Sequence, residues 1–199
     1  AIDNLAQHAI GRAWNPHYNG EDKAWGEEAQ AWLQDEWFGV CDVRGPNHDF
    51  KTGLYLDSIA VDRDGDFAII LTETEEGYPQ IQHVPAHRIG MRRMDKTVTG
   101  GKWKGYAIEQ GVILNKSNRP VAYRVLGEEE KDDQDVDAAN VVFTYDPEYH
   151  DQIRGIPGFS HALNEIRDAM QSEMWEQHAM LIASTIGLIE HNEIGGADI

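Results

Sequence analysis

The sequence predicts an α+β fold in which helices and a small mixed or antiparallel β region are followed by one long α-helix. Apolar residues recur at three- and four-residue steps through the first third of the chain, which is the spacing of helices. Short runs rich in branched residues follow and are typical of strands. Near the carboxyl end, a helical pattern continues for roughly thirty residues, well beyond the average helix of about three turns.

The composition and charge exclude several classes of protein. A chain of 199 residues is long enough for one domain or two small ones. With 41% hydrophobic and 26% charged residues, the chain is globular rather than disordered. The formal net charge of −18 argues against simple electrostatic binding to DNA or to an anionic membrane, because both need clustered Lys and Arg. The single Cys41 excludes an internal disulfide and fits a reducing compartment.

Neither a signal peptide nor a membrane span is visible in the sequence. The opening residues AIDNLAQHAIGRAW lack the basic start and the apolar core of a signal peptide. The apolar stretch Met180–Ile189 is too short to cross a bilayer. We therefore expect no membrane partner.

Three helices are predicted before the first strand. Residues 1–14 have the pattern of the end of a helix, with apolar residues on one side. Glu21–Phe38 opens with acidic residues and repeats its tryptophans at helical steps, and Gly39 is a plausible stop. Phe50–Val61 is the third, by its recurring apolar positions.

The middle of the chain predicts strands separated by turns. Asp62–Asp66 reads as a tight turn, and Phe67–Thr72 after it as a buried strand. Gln80–Val84 alternates like a second strand. Tyr106–Leu114 and Val121–Leu126 are expected to form a hairpin with a longer turn between them.

An acidic segment and an elbow precede the long helix. Glu128–Asp137 has little apolar content, so we expect a solvated, mobile loop. Val141–Phe143 is a short strand, and Arg154–Gly158 (RGIPG) forms a glycine-proline elbow. Ser160 is the expected N-cap of the final helix. A helix of this length needs neighbours along it, so we infer packing against other copies or against further chain.

Metal and catalytic motifs are weak in this sequence. Asp62, Asp64, Asp66 and Glu73 match four positions of an EF-hand calcium loop, but the required glycine is replaced by Phe67, so an acidic turn is the preferred interpretation. His83 and His87 have the H-x-x-x-H spacing of zinc ligands on a helix. Pro85 between them disfavours a helix, so we interpret both as solvated loop histidines.

No nucleophile or phosphate-binding loop is evident either. Cys41 has no neighbouring base in the sequence and is interpreted as structural. Neither G-x-S-x-G, a Walker-type loop nor G-x-G-x-x-G occurs. Trp25, Trp32 and Trp37 are interpreted as core residues, whereas Trp175 fits a core or an interface equally well. We therefore predict no catalytic residue, no metal ligand and no cofactor.

The order of the segments nevertheless resembles a known family. The tryptophan-rich helix is followed by the turn and strand Asp64–Phe67 (DGDF), and then by Val84–Ile89 (VPAHRI). The segment GVILNKSNRPVAYRVL follows the habit G-x-x-x-[DN]-x-x-G-R-P-V-A-Y, with Asn118 in place of the glycine before Arg-Pro. Asn140–Phe143 (NVVF) and Gln152–Pro157 (QIRGIP) complete the series. In this order they resemble the portal proteins of tailed bacteriophages, in the lambda-like family, from Ile2 to Thr185.

This resemblance implies a structural protein rather than an enzyme. Portal proteins form a homo-oligomeric ring, usually a dodecamer, at one capsid vertex of the virion, and assemble in the host cytoplasm. Double-stranded DNA passes through the ring without sequence specificity. The ring docks the terminase, which hydrolyses the ATP, as well as scaffold or capsid and tail-connector proteins. Complete portals are longer, so the resemblance implies a fragment or a reduced relative.

The resemblance also assigns regions and residues. Residues 1–152 are expected to be a wing-like α+β domain, and residues 153–199 an elbow and a long stem-ward helix. The expected hinge consists of Arg154, Gly155, Pro157 and Gly158. The expected subunit interface includes Met170, Met174, Trp175 and Leu181. An acidic channel wall would repel the phosphate backbone, so DNA would slide without being held by Lys and Arg contacts.

Two other interpretations remain open on the sequence alone. The first is a hydrolase or metal-dependent enzyme of unrecognised type, which a convergent pocket with a metal or a perturbed acid pair would reveal. The second is an acidic adaptor that binds a protein partner through the long helix, which size and stoichiometry would distinguish from a ring.

Overall fold

The computed structural model describes residues 2–11 and 16–195, with the side chains of residues 5–11, 16–160 and 162–184. The chain divides into two compact units, Ala1–Gly158 and Phe159–Ile199. The first unit contains helices and two antiparallel sheets, and the second consists mainly of one long helix. The predicted α+β class is therefore confirmed.

Two of the three helices described in the first unit begin directly after a capping aspartate. The three helices are α1 (Ile2–Ile10), α2 (Lys23–Trp32) and α3 (Phe50–Asp64), and a π-helical turn, Leu33–Trp37, continues α2. The Asp22 carboxylate accepts the N–H of Trp25 at 3.0 Å. The Asp49 carboxylate accepts the N–H of Thr52 at 2.7 Å. Both aspartates satisfy donors that the helix itself leaves free, which fixes these two starts.

The end of α3 corrects the predicted turn. The sequence suggested a tight turn over Asp62–Asp66, but α3 continues through Asp64 and β1 begins at Asp66. Gly65 alone makes the reversal, with φ of +93°, and its N–H donates to the carbonyls of Ala60 and Val61. One glycine in the left-handed region suffices because it ends the helix and satisfies its last carbonyls at once.

Seven strands lie within the described residues: β1 (Asp66–Glu73), β2 (Pro79–Pro85), β3 (Ala107–Glu109), β4 (Val112–Leu114), β5 (Pro120–Val125), β6 (Gln134–Asp137) and β7 (Val141–Tyr145). The first sheet has the order β2-β1-β7, and the second is a meander in the order β3-β4-β5-β6. All pairs within the two sheets are antiparallel. The predicted strands at residues 67–72, 80–84 and 141–143 are confirmed.

The second sheet is built on two turns with left-handed backbone. Gln110 and Gly111 have φ of 48° and 87°, so the predicted single strand Tyr106–Leu114 is instead the two strands β3 and β4 joined by a two-residue turn. The β4–β5 hairpin was predicted correctly. Its turn holds Asn118 at φ of 57°, a conformation that asparagine tolerates.

The acidic segment is more ordered in structure than its composition suggests. Glu130–Asp132 forms a 3₁₀ turn, and Gln134–Asp137 is β6, at the edge of the second sheet. Arg92 contacts Asp133 and Arg124 contacts Asp135, each through paired N–H groups. The prediction of a solvated loop over Glu128–Asp137 was wrong for β6, because charged partners elsewhere in the chain compensate for the missing apolar residues.

The core lies where the two sheets of the first unit meet. One buried cluster joins Ala68 and Val84 of the first sheet to Val112 and Tyr123 of the second. A second cluster covers the other face of the second sheet with residues that include Ile113 and Ala122. Because Val112 and Ile113 are adjacent in β4, they point to opposite faces, and both faces of this sheet are buried there.

The tryptophans of the α2 region only partly follow the expected core pattern. Trp32 and Trp37 are half-buried and stack at 6.4 Å between ring centroids, and the Trp37 indole donates to the Pro79 carbonyl at 2.8 Å. Trp25 is 56% exposed, so its interpretation as a core residue was wrong. It contacts the ring of Tyr18 at the surface instead, edge to face.

The second unit is dominated by α4 (Leu163–Gly195), which has 33 residues and extends about 50 Å at 1.5 Å per residue. Ser160 was expected to be its N-cap, but Ser160–Ala162 forms a one-turn 3₁₀ helix before it, without a side-chain cap. The 3₁₀ turn thus begins at Ser160 itself, and the α-helix begins at Leu163, three residues after the predicted cap. No helix among the described residues is long and apolar enough to span a bilayer.

Candidate functional site

Among the described residues of the first unit, the Arg154 guanidinium makes the most side-chain hydrogen bonds, and it lies within the segment that leads to α4. Its Nε and Nη2 donate to the two carboxylate oxygens of Asp66 at 2.6 and 2.9 Å. Its remaining N–H groups donate to the carbonyls of Ala86, Ile89 and Gln110 at 2.6–2.9 Å. All five N–H groups of the guanidinium are therefore satisfied by fixed partners.

Asp66 is the other half of this junction. Its carboxylate is 1% exposed, at the first position of β1, and it also accepts the N–H of Gly155 at 2.8 Å. A buried carboxylate is costly unless it is paired and fully hydrogen-bonded. Here Arg154 supplies the opposite charge and the Gly155 backbone an additional donor, so the ion pair is satisfied.

Two glycines allow the backbones to approach each other at this point. A Cβ added to Gly155 would fall directly on the carbonyl of Gly65, and one added to Gly65 would lie 2.7 Å from the carbonyl oxygen of Gly155. Further along, the N–H of Gly158 donates to the Asp62 carbonyl at 3.0 Å. The elbow is thus bonded to the α3–β1 corner at both of its ends.

The buried amide of Gln152 organises the loop before the elbow. Its Oε1 accepts the N–H of Glu148 at 2.6 Å, and its Nε2 donates to the Arg154 carbonyl at 2.8 Å. The Tyr145 hydroxyl donates to the Gln152 carbonyl at 2.7 Å. Residues 145–154 therefore form a closed loop that positions Arg154 beside Asp66.

The expected hinge residues lie at this junction. Arg154 and Gly155 are held by the contacts with Asp66, Pro157 is half-buried, and Gly158 is the last residue of the first unit. Their role as a hinge stays a prediction. Because Arg154 and Gly155 are held so firmly, we expect them to act as its fixed side, with any bending beginning near Gly158.

The expected interface residues all lie on α4 and are exposed. Met170, Met174, Trp175 and Leu181 have exposed fractions of 65%, 55%, 69% and 65%. The structure adds further exposed apolar side chains on α4 that the prediction did not include, namely Leu163, Ile166, Met180 and Ile182. Leu163 and Ile166 lie at helical spacing from Met170 and Met174, so this part of the extended set follows from the sequence pattern.

A second polar cluster lies on β2 and corrects the interpretation of His83. This histidine is not a solvated loop residue, because it lies in β2 with only 11% of its side chain exposed. Its Nδ1 is 2.9 Å from Asp57, and its Nε2 is 3.7 Å from Asp42. His87 is exposed, as expected, in a short 3₁₀ turn. No group of three or more potential metal ligands occurs among the described residues.

Asp42 is the buried charge of this second cluster. Burial by itself would raise the pKa of Asp42, but hydrogen bonds from the Arg44 guanidinium and backbone, together with its charge, lower that pKa below 3.8. The two side chains form a bidentate pair at 2.8 Å. A Cβ on Gly53 would lie 2.7 Å from the Nε2 of His83, so α3 packs closely over the histidine. This arrangement fixes the position of β2 against α3.

The structure also accounts for two acids of the calcium-like pattern and for Cys41. Among the aspartates of the calcium-like pattern, Asp64 pairs with Arg63 and Asp66 with Arg154, so the two carboxylates neutralise arginines instead of converging on a cation. Cys41 is fully buried, and burial together with the Asp42 charge raises its thiol pKa from 9.0 to about 11. A thiol with a raised pKa is a poor nucleophile, which fits a structural role.

The partner of Arg154 is the functional residue that sequence reasoning missed. Asp66 was assigned only to a turn, although an acidic residue directly before the apolar run of β1 marks a buried charge in need of a partner. The 88 residues between Asp66 and Arg154 hid the pairing, because no local pattern connects them.

Comparison with known proteins identifies the family. The family model described as phage portal protein, lambda family, matches residues 1–194. No curated protein matches the chain. The phage portal family is structural and non-enzymatic, which confirms the prediction that the chain is not an enzyme. Since the match covers nearly all 199 residues, the chain belongs to the lambda family of phage portal proteins.

Proposed function

We propose that this chain is a subunit of the portal ring at one vertex of the phage capsid, with other copies of itself, usually twelve in all, as its neighbours. Double-stranded DNA would pass through the ring without sequence specificity during packaging and ejection. The ring would dock the terminase, scaffold or capsid proteins and tail connectors, assembling in the host cytoplasm and remaining in the virion. The family match supports this role at the level of portal function.

The observation that carries the ring proposal is the exposed apolar surface of α4. At about 100° per residue, Leu163, Ile166, Met170, Met174 and Leu181 fall on one side of this helix. All five are at least 45% exposed in the single chain. A contiguous apolar stripe of this kind marks a contact surface, and burying it would contribute roughly 25 cal/mol for each Å² removed from water.

In this proposal, residues 1–152 form the wing and residues 153–199 the elbow and stem-ward helix. Arg154, Gly155, Pro157 and Gly158 would form the hinge between them, with Arg154 and Gly155 as its anchored side. Met170, Met174, Trp175 and Leu181 would contact the neighbouring copies. The support is the bonding of Arg154 to Asp66 at one end of the elbow and the exposed side chains of α4 beyond the other.

The charge of α4 supports a channel that does not hold DNA. Between residues 163 and 184, the helix carries four acidic residues and a single Arg167. Three of the acids, Glu165, Asp168 and Glu176, fall on the side opposite Leu163 and Met170 at about 100° per residue. With the apolar side packed against copies, this acidic side would be free to face the channel and repel phosphate.

Electron microscopy of the purified chain, with its mass measured in solution, tests the proposal directly. We expect ring-shaped particles with a central hole and a mass that is a multiple of the 22.4 kDa subunit. A population that stays monomeric up to the highest soluble concentration would count against assembly by this chain. Compact particles without a hole, at a stoichiometry of one or two, would favour the acidic-adaptor interpretation instead.

A further inference from the structure

Positive charge in this acidic chain is concentrated in one stretch of sequence. Residues 86–126 contain nine of the 17 Lys and Arg residues but only two of the 35 Asp and Glu residues, Asp95 and Glu109. Their formal charge is +7, in a chain whose net charge is −18, so the rest of the chain carries −25. This stretch contains β3, β4 and β5, so three of the four strands of the second sheet lie in the positive part of the sequence, while β6 lies in the acidic segment.

Part of this basic surface already binds an acidic protein segment, the chain's own residues 128–137. Asp133 accepts two N–H groups of Arg92, and Asp135 accepts two from Arg124. The salt bridges Arg93–Glu130 and Lys102–Asp137 extend the contact, with N–O distances of 3.1 and 2.7 Å. The structure therefore shows which chemistry this surface recognises: carboxylates presented by a polypeptide.

The basic surface continues beyond the reach of that segment. Lys96, Lys104, Lys116 and Arg119 are exposed, and no carboxylate in the described part of the chain lies within ion-pair distance of them. Lys104 and Lys116 face a groove of about 640 Å³ between the turn before β3 and the β4–β5 turn. Tyr106, Asn115 and Ser117 line the same groove and add neutral polar groups.

We propose that this basic groove receives an acidic surface of a second copy of the chain, so that it forms the positive side of the contact between ring neighbours. The inference rests on the proposed ring. Copies of a chain with charge −18 repel each other, and a contact that places the exposed cations Lys96, Lys104, Lys116 and Arg119 against acids of a neighbouring copy offsets part of that repulsion. Such a contact joins unlike surfaces, which is the kind of interface that closes a ring.

Double-stranded DNA is the competing polyanion for the groove, and two observations favour protein. Other cations of the same stretch, Arg92 and Arg124, already bind carboxylates of the acidic segment. The rest of the chain carries a formal charge of −25, which repels the phosphates of DNA. A neighbouring copy, in contrast, is held close by the same assembly that buries α4, and its acids are thereby brought into contact with the groove.

Carbodiimide crosslinking between copies tests the proposal and itself identifies the acidic partner residues. A mixture of ¹⁴N- and ¹⁵N-labelled full-length chain is treated with a zero-length carbodiimide, and mixed-isotope peptides are identified by mass spectrometry. We expect the crosslinks between copies to join Lys96, Lys104 or Lys116 to carboxylates, and the peptides to locate the acidic surface. Lys23, which is also exposed but lies outside the basic stretch, is the internal control. Mixed-isotope crosslinks that involve Lys23 as often as Lys104 and Lys116 would overturn the proposal.

Charge-reversal substitutions provide a second test of the proposed contact. We expect K104E/K116E to lower the association constant at least about tenfold, since like charges would now face each other, while K23E changes it less than about twofold. Added salt should weaken wild-type association if opposite charges form the contact, and strengthen it if repulsion between like-charged copies dominates. Circular dichroism and thermal melting establish that the variants remain folded.

The possible outcomes separate this proposal from the ring itself. Rings that persist in K104E/K116E would overturn the basic contact and leave the ring proposal standing. A wild-type chain that gives neither rings nor mixed-isotope crosslinks would overturn both. Wild-type binding to a short DNA duplex that is lost in K104E/K116E, without any change in association, would reassign the groove to nucleic acid.

Discussion

Asp66 and Arg154 form a bidentate ion pair across 88 residues of sequence, with N–O distances of 2.6 and 2.9 Å and a carboxylate that is 1% exposed. The pair connects the first residue of β1 to the segment that leads into α4. Because Gly155 also donates to Asp66, the chain is held on the first unit at two successive residues. The start of the elbow is therefore set by tertiary contacts as well as by its glycines and proline.

Removing the Arg154 side chain should destabilise the first unit strongly. R154A leaves the Asp66 carboxylate buried without its counter-charge, which costs about 3–5 kcal/mol. R154K keeps the charge but loses the paired geometry and the three carbonyl contacts, so we expect it to remain clearly destabilised. The free energy of unfolding is measured by urea titration, followed by tryptophan fluorescence.

An exposed pair in the same region supplies the control for Arg154. Arg63 and Asp64 form a short salt bridge at the end of α3, but the Arg63 side chain is 61% exposed. R63A should therefore cost roughly 0–1 kcal/mol. Equal losses in R154A and R63A would show that burial adds nothing to the Asp66–Arg154 pair.

Because the elbow approaches Gly65 closely, alanine substitutions at the two glycines of the elbow should differ strongly in their effect on stability. G155A places a methyl group on the Gly65 carbonyl, so the backbones must separate and we expect a loss of at least about 2 kcal/mol. G158A meets only the Asp62 carbonyl oxygen, at an ordinary 3.5 Å, and should change stability by less than about 0.5 kcal/mol. Thermal melting of both variants decides the matter, and a stable G155A would mean that the elbow does not pack as described.

The ion pair between buried Asp42 and the partly exposed Arg44 predicts a pH-dependent contribution to stability. The pKa of Asp42 is lower in the folded chain than its ordinary 3.8, so the unfolded chain takes up the proton first as the pH falls. The contribution is therefore fully present above pH 3.8 and is lost as the pH falls through the lowered folded pKa. D42N should lower the free energy of unfolding by about 1–3 kcal/mol at neutral pH.

The comparison with D42N isolates this residue from the other acids. We expect the difference in free energy of unfolding between wild type and D42N to be constant from neutral pH to about 5, and to shrink in more acidic solution. Urea titrations at a series of pH values measure it. A difference that stays constant throughout the acid range would instead show that the Asp42–Arg44 pair does not contribute to the pH dependence of stability.

Sequence alone predicts most elements of this fold but few of the contacts between them. The long helix, the β4–β5 hairpin and the strands around residues 67–72 follow from periodicity and turn residues, which are local properties. The position of His83 does not, because its burial depends on Asp57 of a distant helix and on the close approach of Gly53. Likewise, β6 has the composition of a loop, and its order depends on Arg124, which pairs with Asp135 in the strand, and on Arg92, which pairs with Asp133 directly before it.

The same division holds for the candidate site. The elbow and the apolar side of α4 are visible as a motif and as a helical stripe, so the sequence identifies both. The Asp66–Arg154 pair is invisible, because a pairing across 88 residues leaves no spacing to detect. Burial decides which of many charges matters, and in a chain with 35 acidic residues only the tertiary structure selects Asp66 and Asp42.

Reversing acids on α4 should make the assembly bind DNA. Asp168 and Glu176 lie on the side opposite the apolar stripe, so D168K/E176K adds cations where we propose the channel surface. The logarithm of the DNA-binding constant falls linearly with the logarithm of the salt concentration, and each phosphate contact formed in this way should add about −0.9 to that slope. Binding of a fluorescent duplex is measured over a salt series, and packaging velocity where a packaging reaction exists.

The control for this reversal keeps the charge change and alters its location. E75K/E76K changes the same number of charges in the exposed turn between β1 and β2. If DNA binding responds to net charge alone, both double variants gain it equally, and the proposed acidic channel surface loses its support. An unchanged packaging velocity in D168K/E176K would argue the same way.

Polar substitutions within the apolar stripe of α4 should disperse the assembly. Met170 and Met174 are one helical turn apart and more than half exposed, so M170D/M174D places two charges in the contact between copies without removing core packing from the first unit. An unpaired charge buried in an apolar contact costs several kcal/mol, so we expect monomers at concentrations at which the wild-type chain forms rings. Sedimentation velocity and electron microscopy measure the distributions of monomers and rings for the wild type and the variant.

A179D is the matched control, because Ala179 is exposed on the opposite side of the same helix and its substitution has a similar effect on helix propensity. Rings that survive M170D/M174D, or that are lost equally in A179D, would place the subunit contact elsewhere on the chain.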